Sequence, residues 1–135
     1  MHQPDSPCPC GKSAGKKPLN YVNCCGRYVE DYEHTPAPDA ESLMRSRYCA
    51  YVLRRADYLL ATWDAARRPA SLAFEPGIKW LGLSVRAFDT PAPDHAEVEF
   101  VARSRLDGRG MRLHERSRFT RRGGRWFYVD GEMLG

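Results

Sequence analysis

Apolar positions keep a helical period from Glu41 to about residue 65 and a strand period from Ile78 onward. Over residues 41–55, Leu43, Met44, Tyr48, Tyr51 and Val52 recur at three- and four-residue spacing, which gathers them on one stripe of a helix. Asp39 is placed to cap its start, with Ser42 a second candidate. Residues 56–65 read as a second short helical stretch with Leu59, Leu60 and Trp63 on its apolar side. After a loop around Arg67-Arg68-Pro69 the period changes. Ile78–Phe88 is apolar and branched, and a turn carrying Pro91 and Pro93 follows. Residues 96–106 alternate, with Ala96, Val98, Phe100 and Ala102 on one face and Glu97, Glu99, Arg103 and Arg105 on the other. Asp107-Gly108-Arg109-Gly110 is a hairpin signal, Met111–Arg121 a third strand, Arg122-Gly123-Gly124 the next turn and Arg125–Val129 a fourth strand. Two helices followed by a four-strand antiparallel meander predict an α+β fold with the helices covering one face of the sheet.

Residues 1–30 lack the apolar positions for a core, and Pro36 and Pro38 mark 31–40 as a linker ahead of the folded unit 41–135. No stretch approaches the ~18 apolar residues of a membrane helix, which excludes a spanning protein. Met1-His2-Gln3-Pro4-Asp5 has neither the basic flank nor the apolar run of a secretory signal, so a cytoplasmic location is expected. The net charge of +4 is too mild to decide for or against nucleic acid.

The cysteines change the picture more. Cys8, Cys10, Cys24 and Cys25 fall within eighteen residues, and Cys49 stands apart. In a reducing compartment such clustering argues for a metal rather than disulfides, and a bond between the adjacent Cys24 and Cys25 would close a strained ring. Two cysteine pairs bracketing a Gly/Lys-rich loop can converge on one tetrahedral zinc ion. Four thiolates on Zn²⁺ leave a charge of about −2, which Lys12, Lys16 and Lys17 would partly offset. With four protein ligands no coordination position is open, so the zinc is expected to be structural. Cys49, in an apolar helical neighbourhood, reads as an inert packed thiol.

Cys8-Pro9-Cys10-Gly11, Ser13, Gly15-Lys16-Lys17, Tyr21 and Cys24-Cys25-Gly26 resemble the SEC-C motif, named for the zinc-binding tail of the SecA preprotein translocase. The rest resembles the YchJ family of small bacterial proteins, which carry that motif at their start. The matching runs include Leu43-Met44-Arg45-Ser46-Arg47-Tyr48, Asp57-Tyr58-Leu59, Trp80-Leu81-Gly82-Leu83, Glu99-Phe100-Val101-Ala102-Arg103, Glu115-Arg116-Ser117-Arg118-Phe119 and Trp126-Phe127-Tyr128-Val129-Asp130-Gly131. The resemblance implies a cone-shaped domain like that of nuclear transport factor, and contact with a secretion chaperone or the ribosome. The resulting expectation is a small zinc knuckle (1–30), a linker (31–40) and a cone-like domain of helices on a curved four-stranded sheet (41–135). The Cys10–Cys24 interval exceeds the motif's usual spacing, which should loosen the knuckle without moving its ligands.

A cone of this type encloses an interior, and the third strand points Met111, Leu113, Glu115, Ser117 and Phe119 toward it. Glu115 therefore needs a partner. Arg45 and Arg47 on the first helix are the expected ones, forming a structural ion pair that ties helix to sheet. The competing reading makes Glu115 a general base and Tyr58 a hydrogen-bond donor in a small-molecule lyase or isomerase. A roomy interior with an unpaired carboxylate would favour that reading. His114 and Asp130 are expected at the surface and at a backbone cap. Nine arginines lie between Arg103 and Arg125. Arg112, Arg116 and Arg118 share one face that could meet phosphates or a protein partner, or simply pair with Glu97 and Glu99. No aromatic platform accompanies them, so specific nucleic-acid binding is not expected. The function expected is that of a binding or adaptor module rather than an enzyme.

Overall fold

The structure, a computed structural model, describes residues 5–135. Of the segment read for a signal, Met1 to Pro4 lie outside them. The described chain begins with a two-residue hairpin, β1 (Ser13–Ala14) and β2 (Lys17–Pro18), a 3-10 turn at Tyr21–Asn23 and a single-turn helix α1 (Gly26–Val29). Helices α2 (Ala40–Val52) and α3 (Ala56–Ala61) follow. The strands β3 (Lys79–Ala92), β4 (His95–Leu106), β5 (Arg109–Arg122) and β6 (Arg125–Met133) form one antiparallel sheet in the order β3-β4-β5-β6.

Asp39 caps α2 as its sequence predicts, its carboxylate accepting the Ser42 N–H at 2.7 Å. The helix stops at Val52, before Arg54 takes a left-handed conformation with φ 58°. The second helix ends at Ala61 rather than near residue 65. There the backbone turns to β6 instead, with Asp64 N–H donating to the Tyr128 carbonyl (2.7 Å) and Tyr128 N–H to the Thr62 carbonyl (2.8 Å). β3 runs on through the proline turn to Ala92, because Pro91 sits on an edge strand where no ladder donor is needed, and its pairing with β4 shifts register three times. Two of the three tight turns of the meander, Asp107-Gly108 and Gly123-Gly124, have positive φ at both central residues, the type I′ geometry that matches strand twist.

The pairing sets the two faces. On the concave side Ala96, Val98, Phe100 and Ala102 lie opposite Phe119, Ser117, Glu115 and Leu113, as alternation predicts. Helix α2 covers this face with Leu43, Met44 and Tyr48. It is also buried on its other side, at Ser46, Cys49 and Ala50, where the N-terminal segment packs against it. That segment is tied to the cone by several contacts. Arg45 donates to the Cys10 carbonyl (3.1 Å), Tyr32 to the Ala61 carbonyl (3.0 Å), and Arg125 to the carbonyls of Tyr32 and Glu33. Glu30 also receives both Arg55 (2.8 Å) and the Tyr21 hydroxyl (2.7 Å).

Candidate metal centre

Backbone hydrogen bonds build the first thiol pair. Cys8 N–H donates to the Leu19 carbonyl (2.8 Å), and Tyr21 N–H to the Ser6 carbonyl (2.9 Å), so the Cys8 strand lies against the segment that leads to the second pair. After Cys10 the chain reverses at Gly11, whose φ of 78° suits glycine. The residues that lengthen the Cys10–Cys24 interval are folded into the β1–β2 hairpin, closed at its base by Leu19 N–H to the Lys12 carbonyl (3.0 Å). The extra length is thus taken up in an exposed projection. The turn at Tyr21–Asn23 then brings Cys24 and Cys25 inward, with Gly26 so close to Tyr21 that a Cβ there would overlap its carbonyl and ring.

Four sulfurs converge, those of Cys8, Cys10, Cys25 and Cys49, all buried and all within 4.8 Å of one another. The Cys8 and Cys49 sulfurs are 3.4 Å apart. A tetrahedral ion with bonds of ~2.3 Å to sulfur sets its ligands about 3.8 Å from one another, so the spacing fits such an ion. This differs from the expected set at one position. Cys24, although it reaches Cys10 at 3.7 Å, stands outside the four that are mutually near, and Cys49, expected to be inert, is inside. The reason is the docking of the knuckle on α2, which places a cone residue, Cys49, where the motif alone would have used Cys24.

The thiols perturb one another strongly. Hydrogen bonds from Cys25, then Cys49 and Cys8, hold Cys10 far below an ordinary thiol, whereas Cys25 and Cys49 are pushed up, in both cases chiefly by Cys10. Cys8 is raised by Cys10 but lowered more by Cys25 and Cys49, and comes to about 7. Thiols packed this closely oppose one another's ionisation, and a divalent cation among them would supply the counter-charge that lets all four ligate as thiolates. Lys12, Lys16 and Lys17 are exposed on the hairpin side, and the cation that touches the cluster's backbone is Arg45.

The other predicted site residues fall elsewhere. Between α2 and the concave sheet is a cavity of about 260 Å³ walled by Tyr48, Tyr51, Trp80, Phe100, Phe119 and Tyr128, with Arg47 and Glu115 at its edge. The expected ion pair of Glu115 with Arg45 or Arg47 is not formed. Glu115 accepts the hydroxyls of Ser117 and Tyr128 and lies against Gly131, where any Cβ would overlap its carboxylate. Arg47 Nη1 donates to the Leu59 carbonyl and Thr62 Oγ1 (both 2.8 Å), and the guanidinium stacks on Trp63 and Tyr128. Arg45 pairs with Glu41 at 2.9 Å. Arg47 thus meets neutral acceptors and ring faces, and Glu115 two hydroxyls, in place of the buried ion pair between them. Tyr58 is buried away from the cavity lining with its hydroxyl on Ser46 Oγ (2.7 Å), which removes it as a partner of Glu115. On the outer face Arg116 pairs with Glu99 (2.9 Å), His114 with Glu99 (2.8 Å) and Arg118 with Asp130 (2.6 Å). Asp130 is therefore an ion-pair partner rather than a backbone cap. Arg112, opposite Arg103, is exposed and has no ion pair among the described residues.

A buried thiol knuckle seated on a helix-covered α+β cone defines a SEC-C protein with a nuclear-transport-factor-like (NTF2-like) domain. Two solved structures share the arrangement. A SEC-C motif containing protein from Psychrobacter arcticus matches with a TM-score of 0.80 at 28% identity, covering 98% of this chain and 85% of that one. A SEC-C motif containing protein from Rhodopseudomonas palustris matches with a TM-score of 0.75 at 32% identity, covering 89% and 96%. Residues 39–131 match the family described as "YchJ, middle NTF2-like domain". The chain is 61% identical to a UPF0225 protein of Polaromonas sp. over 96% of its length and 94% of that relative, and 52% identical to a UPF0225 protein of Bordetella pertussis over 96% of each. It belongs to the YchJ family. No helix among the described residues is long and apolar enough to cross a membrane.

Proposed function

We propose that the protein is a zinc-binding module in which one ion, held by Cys8, Cys10, Cys25 and Cys49, fastens the knuckle to the cone. The observation that carries this reading is the convergence of four buried sulfurs. Four thiolates suit zinc and tetrahedral iron alike, and the SEC-C likeness favours zinc. With every ligand supplied by the chain the ion is structural, and its binding energy organises a segment too small to bury a core of its own. The assembled knuckle then serves as an adaptor surface in the cytoplasm. Its exposed hairpin, with Lys12, Lys16 and Lys17, suits an acidic protein surface or ribosomal RNA. Elemental analysis is expected to give about one zinc per chain, and metal-free protein with an ordered knuckle would overturn the assignment. Co-sedimentation with ribosomes at low salt is expected to be lost in the variant K12E/K16E/K17E, and unchanged sedimentation would reject the hairpin as the contact.

The cavity favours a second reading, a small-molecule site in the cone. Its carboxylate is free of arginine, and the Tyr128 phenol, held above its ordinary value by burial and then by the Glu115 charge, stays a neutral donor beside it. A lyase or isomerase would use Glu115 as its base, without Tyr58.

A further inference from the structure

The cavity has an unbalanced charge in its wall. Arg47 is only 6% exposed, yet no carboxylate among the described residues lies within ion-pair distance of it. Its protein acceptors, the Leu59 carbonyl and Thr62 Oγ1, both use Nη1, which leaves Nε and Nη2 without one. A guanidinium normally enters an interior with a carboxylate or phosphate across its fork, because desolvation is otherwise unopposed. Here the sequence supplies Glu115 on the same cavity, but Ser117 and Tyr128 hold that carboxylate on the β6 side and Gly131 makes room for it there. The two charges are thus kept apart at the edge of one aromatic chamber. Filling the chamber with the missing anion would complete both: the anion on Arg47, and a donor on the same molecule for the free lone pairs of Glu115.

We propose that the cavity binds a compact planar organic carboxylate, its carboxylate paired with Arg47 and a hydroxyl or amine at its other end donating to Glu115. This rests on the small-molecule reading of the cone and deepens it by naming the ligand class. At about 260 Å³ the space is below that of drug-sized pockets, ~300–1,000 Å³, so the ligand is of single-ring size. The aromatic walls suit a flat body by offset or edge-to-face stacking. Phosphate esters are bulkier at the charged end, and a lone inorganic anion would leave the rings uncovered and bring Glu115 no donor beyond Ser117 and Tyr128.

The test uses the full chain and two isosteric probes, 4-hydroxybenzoate and its neutral analogue 4-hydroxybenzamide, titrated by calorimetry with NMR shift mapping. The carboxylate is expected to bind at least about tenfold more tightly, a difference of the size a charge-assisted bond gives, with shifts at Tyr51, Phe100 and Ser117. Arg47→Met, which keeps the stem, is expected to abolish the preference for the acid. Because Arg47 also braces Trp63 and Tyr128, Ala102→Leu provides an independent variant: it fills the chamber from β4, leaves Arg47 in place, and is expected to lose both probes. Equal binding of acid and amide to the wild type, or a preference that survives Arg47→Met, would overturn the anion inference and leave the small-molecule reading standing. No response to either probe at millimolar concentration would overturn both.

Discussion

Replacing Cys49 by serine separates the two ligand sets most sharply. Structural zinc contributes ~10–16 kcal/mol of folding energy in finger peptides, so one thiolate of four carries about 3 kcal/mol, or roughly a hundredfold in affinity. A serine hydroxyl in its place is a weak ligand that keeps its proton. The loss falls on the junction between knuckle and cone, because Cys49 is the ligand that α2 supplies. What then holds the knuckle is the packing of Tyr21, Tyr28 and Val29 in the common core and a set of polar contacts, Glu30–Arg55, Arg45 to the Cys10 carbonyl, Tyr32 to Ala61 and Arg125 to Tyr32 and Glu33, of which the exposed ion pair is worth little by itself. Cys49→Ser is therefore expected to lose its metal on dialysis against a moderate chelator that leaves the wild type loaded, and to expose the remaining thiols to alkylation. Cys24→Ser, which alters one contact at 3.7 Å outside the cluster, is expected to retain the metal at a stability cost of about 1 kcal/mol. Elemental analysis and the charge-transfer bands of the cobalt-substituted proteins read both. Metal retained in Cys49→Ser but lost in Cys24→Ser would refute the reasoning.

Other outcomes follow from single contacts. Gly131→Ala forces the Glu115 carboxylate off its seat and is expected to cost ~1–3 kcal/mol by urea denaturation, more than an alanine at the exposed Gly110. Burial opposes ionisation of Glu30, but Arg55 and the Tyr21 hydroxyl outweigh it and hold its carboxyl below the usual range. A depressed carboxyl stabilises the fold above its unfolded value of ~4.3 and ceases to do so as pH falls through the folded one. Glu30→Gln is therefore expected to be less stable than wild type at pH 7, by under about 1 kcal/mol for so exposed a group, with the difference vanishing as pH falls through the folded value. Acidification from pH 7 to 5 is expected to release the metal, since each thiol must give up its proton to ligate; retention at pH 5 would argue against thiolate ligands. Arg118→Ala, whose partner Asp130 is also reached by Arg67, is expected to change the melting temperature little, and a large drop would mean the outer-face pairs matter more than their exposure suggests.

The sheet was legible because β4 and β5 alternate with period two, β3 is rich in apolar and branched residues, and two of the turns carry residues tolerant of positive φ. The same alternation assigned the residues of β4 and β5 to the face that the structure makes concave. Three of the four converging thiols were legible from their pairing. Cys49 was not, because it is separated from them by most of two helices' worth of chain and sits within an apolar pattern that explains itself. The signal available was a second buried strip on α2: Ser46, Cys49 and Ala50, small residues at three- and four-residue spacing off the bulky stripe, where another segment approaches closely. The Arg47–Glu115 pair failed for a different reason. Opposite charges on facing elements suggest a partner, but the sequence does not reveal that a carbonyl, a threonine and two ring faces would serve the arginine, or that Ser117 and Tyr128 would serve the glutamate.

The projection between the two thiol pairs is closed where Lys12 meets Leu19, so the residues beyond that point lie outside the ring of backbone that carries the sulfurs. Its tip at Gly15 is an open position into which a fluorophore-bearing peptide or an affinity tag can be grafted, with the bond at its base as the boundary of what must be preserved. Spacing between cysteines is, for the same reason, a poor ruler for this kind of centre: chains with shorter or longer excursions can share one coordination geometry.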